Sequence, residues 1–265
     1  MHIIVCIKQV PETSSVRINP ETNTLMREGV ESIINPFDEF ALELALELKE
    51  LHGARVTALS MGPPQAASVL REALARGVDD VMLLSDRAFA GSDTWATSYA
   101  LAQAIRKMPQ SPDLILFGKQ AIDGDTAQVG PGVSEFLDMP LVTYAFSLTV
   151  DGDVFSAETL MDEGVDIVQG EFPAVVTVSK GSSAPRFASL NGWMQAASAE
   201  IPLWSAADIA ADLKMTGLDG SPTRVKEIFA PPVRAGGVRI DASENPNEGI
   251  HAILGELRKV GQVGV

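Results

Sequence analysis

Short apolar runs alternate along the first half of the chain with longer segments whose apolar side chains recur at helical spacing. The runs are residues 2–7, 55–60, 80–84 and 114–117. In residues 114–117 unbroken apolarity, rather than strict alternation, marks a strand covered on both faces of a parallel sheet. Between the runs, Asn35-Pro36 opens a segment with Phe37, Leu42, Ala45 and Leu48 at helical spacing and Gly53 at its close. Residues 65–76 and 91–108 repeat the pattern, the latter with Ser92 or Asp93 as cap. The order β-α-β-α-β-α-β-α predicts a mostly parallel sheet with helices on both faces. Pro11 in KQVPET turns the chain after the first strand, and residues 17–34 have hairpin-like polarity, with Asn19-Pro20 and Asn23 as turn residues.

After Pro140 the rhythm changes. Residues 141–150, 153–160, 164–169 and 174–178 are short alternating runs joined by Asp151-Gly152 and other glycine turns. They predict an antiparallel extension of the sheet. From Lys180 the chain is rich in Gly, Ser, Ala and Pro, with short helices predicted at 206–214 and 246–260. Two regions are therefore expected: an α/β domain over 1–180, and a segment over 181–265 that lies on a partner subunit.

Residues 113–131, DLILFGKQAIDGDTAQVGP, combine several signals. An apolar strand ends at Gly118, a polar loop follows, and Thr126 is a candidate N-cap for a helix carrying Val129, Val133, Phe136 and Leu137. Open α/β sheets hold ligands at such strand ends. A helix start offers free N–H groups to a phosphate, and Gly124 and Ala127 allow close approach to the backbone. On spacing alone, a capped βα turn of any α/β protein fits equally well, since the run is neither G-x-G-x-x-G nor a P-loop.

Composition narrows the field. With 265 residues, 46% hydrophobic and 21% charged, the chain has ordinary globular make-up. A formal net charge of −15 makes nucleic acid and anionic membrane poor partners. The single cysteine, Cys6, excludes a disulfide framework. His2, His52 and His251 are scattered, so neither a metal centre nor a His-based catalytic set is expected. No run is long enough to span a bilayer, and the N-terminus reads as a strand rather than a signal peptide, so a cytoplasmic protein is expected. Any redox chemistry would belong to a bound cofactor.

Several stretches carry a resemblance: KQVPET at 8–13, NPFDEFALE at 35–43, LSMGPPQA at 59–66, LREALARGVDD at 70–80, GSDTWATS at 91–98, GKQAIDGDTAQVGP at 118–131, EFPAVVTV at 171–178 and PRFASLNGWMQA at 185–196. In order and over essentially the whole chain, they resemble the beta subunit of electron-transfer flavoproteins. The resemblance implies an adenine-nucleotide-hydrolase-like α/β fold and a C-terminal arm that packs on an alpha subunit bearing the electron-transferring FAD. It also implies a second nucleotide in this chain, AMP in ordinary members and FAD in electron-bifurcating ones. The family's nucleotide positions fall on Cys6, Asn35, Pro36, Phe37, Asp38 and Met61. They continue through Gly118, Lys119, Gln120, Ala121, Ile122, Asp123, Gly124, Asp125, Thr126, Ala127, Gln128 and Val129.

The small residues after Asp123, and the acidic Asp38, look like the bifurcating group. The implied function is then a subunit whose FAD takes a hydride from NADH. One electron would go to a flavin-dependent dehydrogenase and the other to ferredoxin or flavodoxin. Two alternatives are an AMP-binding structural subunit and a stand-alone adenine-nucleotide-binding protein. Leu190 occupies the family's docking leucine, but residues 191–201, NGWMQAASAEI, contain no Lys or Arg where acyl-CoA dehydrogenase-serving members are strongly basic. An exposed leucine in a helix turn is the plain alternative for Leu190. In the docking reading, Trp193 replaces charge by contact area.

Overall fold

A computed structural model describes residues 1–12, 17–18, 25–26, 32–181, 183–227, 239–259 and 261. The chain begins with β1 (His2–Cys6), β2 (Gln9–Pro11), β3 (Arg17–Ile18), β4 (Leu25–Met26), β5 (Ser32–Ile34) and α1 (Pro36–His52). It continues with β6 (Arg55–Met61), α2 (Ala67–Arg76), β7 (Asp80–Leu84), α3 (Thr94–Lys107), β8 (Leu114–Gly118) and α4 (Val129–Leu137). Then come β9 (Leu141–Asp151), β10 (Val154–Met161), β11 (Gly164–Glu171), β12 (Ala174–Val178), α5 (Leu190–Ser198), β13 (Leu203–Trp204), α6 (Gly217–Gly220) and α7 (Pro246–Lys259). The short pairs β2–β5 and β3–β4 are antiparallel, as the polarity of 17–34 suggests, but the turn residues Asn19-Pro20 and Asn23 lie outside the described residues.

Nine strands form one sheet in the order β11-β10-β9-β12-β8-β1-β6-β7-β13. From β9 to β13 every pairing is parallel; in this sheet only the pairings of β10, with β9 and with β11, are antiparallel. The mostly parallel, helix-covered fold is as the apolar runs imply. Residues 174–178 are a correction. They do not belong to the antiparallel extension but lie mid-sheet between β8 and β9, parallel to both and fully buried. AVVTV is an unbroken run, so it fits a site covered on both faces.

The pleat sorts side chains into two layers. Ile3, Val5, Leu114, Leu116 and Val176 pack against α1 and α2. Ile4, Cys6, Ile115, Phe117 and Val175 pack against α3, α4, Ala206 and Ile209. Strand order reverses across β1, which has β6 on one side and β8 on the other. The crevice at the carboxyl ends of β1 and β8 is thus the topological switch point.

The first compact unit runs from Met1 to Ile228, past the boundary expected at residue 180. Two contacts explain the difference: β13 pairs beside β7, and Arg71 on α2 bonds the end of α5. Residues 206–214 are not a helix; they form a turn and a short 3-10 segment, Leu213–Met215. Ser205 N–H and Oγ both donate to Asp208 Oδ2, at 2.8 and 2.6 Å, and Ala210 adopts φ 49°, so the backbone leaves the helical region. The second unit runs from Phe229 to Val265. Its helix α7 has exposed Ile250, Ile253 and Leu257 at helical spacing. No helix among the described residues is long and apolar enough to cross a membrane.

The division between packed and presented leucines is measurable. Leu70 is 0% exposed in the core and Leu190 is 79% exposed. Leu70→Ala is expected to lower unfolding free energy by about 3 kcal/mol, and Leu190→Ala by less than about 0.5 kcal/mol. Denaturant titration of the two variants checks this.

Candidate functional site

The site is built where β1 and β8 end. Asp38, in the first turn of α1, is buried there at 6% exposure. Its Oδ2 accepts the N–H of Lys8 at 2.7 Å, just past β1, and its Oδ1 accepts the N–H of Gly118 at 3.2 Å, at the end of β8. One carboxyl group therefore spans the two strands of the switch point. Burial pushes its pKa up from 3.8 to about 7, against the opposing pull of Asn35 and the two N–H groups.

Asn35 precedes α1 in the usual capping position, yet its side chain does not cap that helix. Fully buried, it donates from Nδ2 to the Gln120 carbonyl at 2.8 Å and accepts the Ile122 N–H on Oδ1 at 3.0 Å. The start of α1 thus anchors the loop that follows β8. Pro36 at the first helical position fixes the entry of α1. Gly118 is glycine for the same reason. A Cβ there would lie 2.6 Å from the Asp38 nitrogen and the Phe37 carbonyl carbon, backbone atoms that cannot give way.

Beyond the anchor, the loop turns outward. Asp123, Gly124, Asp125, Thr126 and Gln128 are exposed. Both carboxylates are engaged: Lys8 Nζ donates to Asp123 Oδ1 at 2.6 Å, and the Gln120 amide donates to Asp125. Lys119 lies with its ammonium 5.0 Å from the Tyr144 ring centroid, and its N–H donates to Val178 at 2.7 Å. Asp125 and Ala127 both adopt φ 55°, the left-handed region. Ala127 is followed by Gln128 at φ −108°, ψ −13°, the alternation that turns successive N–H groups to one side as an anion-binding nest.

Thr126 is not the cap of α4. That position is Gln128, whose side chain makes no capping bond. Among the described residues, no acceptor receives the N–H groups of Thr126, Ala127, Gln128 or Val129. A Cβ on Gly124 would meet nothing within 4 Å. Gly130, by contrast, lets α4 settle on the sheet, its Cα direction closed by Thr177 and the Phe117 ring. The result is an exposed row of donors at a helix start, above a buried clamp, the chemistry that receives a phosphate or diphosphate.

The structure therefore sorts the sequence-predicted residues. Ala121, Gly124, Thr126, Ala127, Gln128 and Val129 form the donor-lined loop, with Asp123 and Asp125 folded back onto Lys8 and Gln120. Asn35, Asp38, Gly118 and Ile122 form the anchor beneath it. Cys6 points into the layer shared with α3, and burial, with Asp38 nearby, pushes its thiol pKa up, so it packs as an apolar group. Met61 ends β6, beside β7, half-buried against the same layer. Leu190 and Trp193 belong to a separate face, on α5.

Lys8 went unnoticed in sequence; a lysine directly after the first strand of an acidic chain was the available signal. Glu43, one of the acidic residues of α1, is buried and paired to Arg186 at 2.9 Å.

Asp38 generates a pH prediction. In the folded chain its carboxyl keeps a proton up to about pH 7, whereas the unfolded group loses it near 3.8. Between those values the folded form binds the extra proton, so the group's contribution to stability is complete below the lower value and is lost as pH rises through the upper one. The loss is on the order of 4 kcal/mol for that shift. Asp38→Asn should remove this slope and lower stability at pH 4, because an amide accepts only one of the two N–H groups, with the difference from the parent closing as pH rises toward 8. Urea midpoints of both proteins between pH 4 and 8 measure it.

The comparisons with known proteins follow this geometry. The model of the family described as electron transfer flavoprotein domain matches residues 22–209. The chain is 48% identical over 256 residues to the electron transfer flavoprotein subunit beta of Megasphaera elsdenii, covering 94% of this chain and 95% of that one. It is 48% identical over 252 residues to Protein FixA of Sinorhizobium fredii, covering 92% and 88%. It is 44% identical over 260 residues to the caffeyl-CoA reductase-Etf complex subunit CarD of Acetobacterium woodii, covering 98% of each. With the family model matched from before α1 to beyond α5, the chain belongs to the electron transfer flavoprotein family, in the likeness of its beta subunits.

Proposed function

We propose that this chain is the beta subunit of a heterodimeric electron-transfer flavoprotein and binds a second FAD in the β1/β8 crevice. The observation that carries the reading is the free N–H row from Thr126 to Val129, bordered by Gly124 with open space around it. A diphosphate needs more donors and more room than a single phosphate, and small side chains with an uncapped helix start supply both. Lys8 offsets the charge of Asp123, and Gln120 holds the Asp125 carboxylate by a hydrogen bond. Asn35 and Asp38 act from below, fixing the loop and the strand ends so that the donors converge. Bound there, FAD would accept a hydride from NADH and pass its electrons singly, one toward a high-potential dehydrogenase and one toward ferredoxin or flavodoxin. Among the described residues Asp38, the titratable group beneath the loop, is buried in its clamp between Lys8 and Gly118, and this chain's part is to bind, orient and tune the flavin.

The partners follow from the surfaces. The apolar stripe Ile250, Ile253 and Leu257 on α7 suits burial against the alpha subunit. Leu190, Trp193 and Met194 on α5, at 79%, 47% and 67% exposure, suit an apolar site on a dehydrogenase. With no basic side chain in residues 191–201, attraction at long range is weak, and a dehydrogenase held permanently in a complex fits better than one met by collision. That a relative is named as part of a reductase-Etf complex supports this.

The first test is the nucleotide released from the purified alpha–beta complex. Two FAD per heterodimer and no AMP is the expected result; one FAD with one AMP overturns the assignment and makes the chain a structural nucleotide binder. Gly124→Gln provides a second check. Because the position faces open space, the variant is expected to fold normally yet lose FAD on gel filtration about tenfold faster, equivalent to about 1.4 kcal/mol of lost affinity.

A further inference from the structure

The helix that presents Leu190 has no evident reason to be stable. It is nine residues long, and Ala196 is its one buried residue. Isolated helices of that length are marginal in water. What holds it is a set of polar attachments at both ends. At its start, Ser189 Oγ accepts the Gly192 N–H at 2.9 Å. At its end, Arg71 of α2 donates from Nη1 to the Ala196 and Ala199 carbonyls, both at 2.8 Å, satisfying groups a helix leaves open. Between them Gly192 lies against the Ala75 carbonyl of α2, where a Cβ would collide.

The firmest attachment is just upstream. Arg186 donates its backbone N–H to Glu43 Oε2 at 2.8 Å, and its Nε and Nη2 to Glu43 Oε1 at 3.0 and 2.9 Å. Its Nη1 reaches Glu50. Glu43 and Glu50 are seven residues apart, two turns along one face of α1. The Glu43 side chain is only 8% exposed. Surface ion pairs contribute little, but a forked guanidinium on a buried carboxylate fixes geometry, and removing the arginine strands a buried charge. The next residue, Phe187, is 97% exposed, so the chain passes from fully fixed to fully presented within one step.

Resting on the docking role proposed above, we infer that Arg186 is a positioning residue for partner docking: with Glu43, Glu50 and Arg71 it holds α5 in place so that Leu190 meets the dehydrogenase as a rigid anchor. The same helix, α1, carries Asp38 at its start and Glu43 and Glu50 further along, so the nucleotide loop and the docking helix are both referenced to one rigid element. A docking segment ordered in advance spares the ordering entropy on binding. The effect falls on affinity for the partner, not on the electron-transfer step once the two are docked.

The experiment uses the intact alpha–beta complex and a flavin-dependent dehydrogenase that the unmodified complex reduces. Arg186→Gln is expected to raise the half-saturating dehydrogenase concentration roughly tenfold, with the maximal rate and the nucleotide content unchanged. Amide hydrogen exchange over 187–198 should accelerate while that over 119–128 does not. Arg186→Lys should recover only part of the loss, since an ammonium cannot fork. Arg71→Gln, which frees the other end of α5, should reproduce the effect and stands in if Arg186→Gln does not fold. Leu190→Ala separates the two ideas. If it leaves half-saturation unchanged, the docking role itself fails. If it raises half-saturation while Arg186→Gln and Arg71→Gln do not, or if those variants lower the maximal rate and nucleotide content together, the positioning role is overturned.

Discussion

The buried carboxyl of Asp38 joins the two strands whose separation creates the crevice. At a topological switch point the connections from β1 and β8 leave on opposite faces of the sheet, so no helix covers the gap between them. Lys8 and Gly118 end the strands there with N–H groups that the sheet does not satisfy, and a buried donor without a partner is costly. Asp38 accepts both. Placing a carboxyl in that position requires α1 to begin almost in contact with β8, and only glycine at 118 allows it. Asn35 then spends its amide on the loop rather than on its own helix. Clamp, glycine and loop anchor form one arrangement, in which each residue type follows from the one before.

That arrangement also resolves an electrostatic difficulty. A chain of net charge −15 is a poor host for a nucleotide phosphate when judged as a whole. In the proposed reading, binding would depend instead on the local field. Two loop carboxylates are folded back onto Lys8 and Gln120, and among the described residues no acceptor receives the donors of the nest and the α4 start. Fixed N–H dipoles at short range outweigh screened charges at long range. Ala127 holds a left-handed backbone conformation that costs a non-glycine residue on the order of 1 kcal/mol, strain of the kind functional loops retain.

The exposed apolar side chains separate into faces with different support. Those of α7 lie on a helix in a unit of its own. Those of α5 are carried by the α/β domain on a helix that buries only Ala196 and whose segment is held by hydrogen bonds from Arg71 and Arg186, while its large apolar side chains are shown to solvent. This is the form expected of a surface whose complement lies on another molecule.

Most of the α/β fold was legible because strand and helix periodicities are local. Unbroken runs announced the buried strands, and AVVTV was misassigned when its position after the alternating segments outweighed its own unbroken pattern. The donor loop was legible too, since strand, glycine, polar turn and helix start follow one another in sequence. What sequence left hidden were partnerships across the chain. Asp38 with Gly118, Asn35 with Ile122 and Glu43 with Arg186 join residues 80, 87 and 143 positions apart. Residue type says that Asn35 can cap a helix and that Glu43 can face water; only the tertiary structure decides otherwise, because hydrogen-bond partners are set by which groups are left unsatisfied where strands, helix and loop converge.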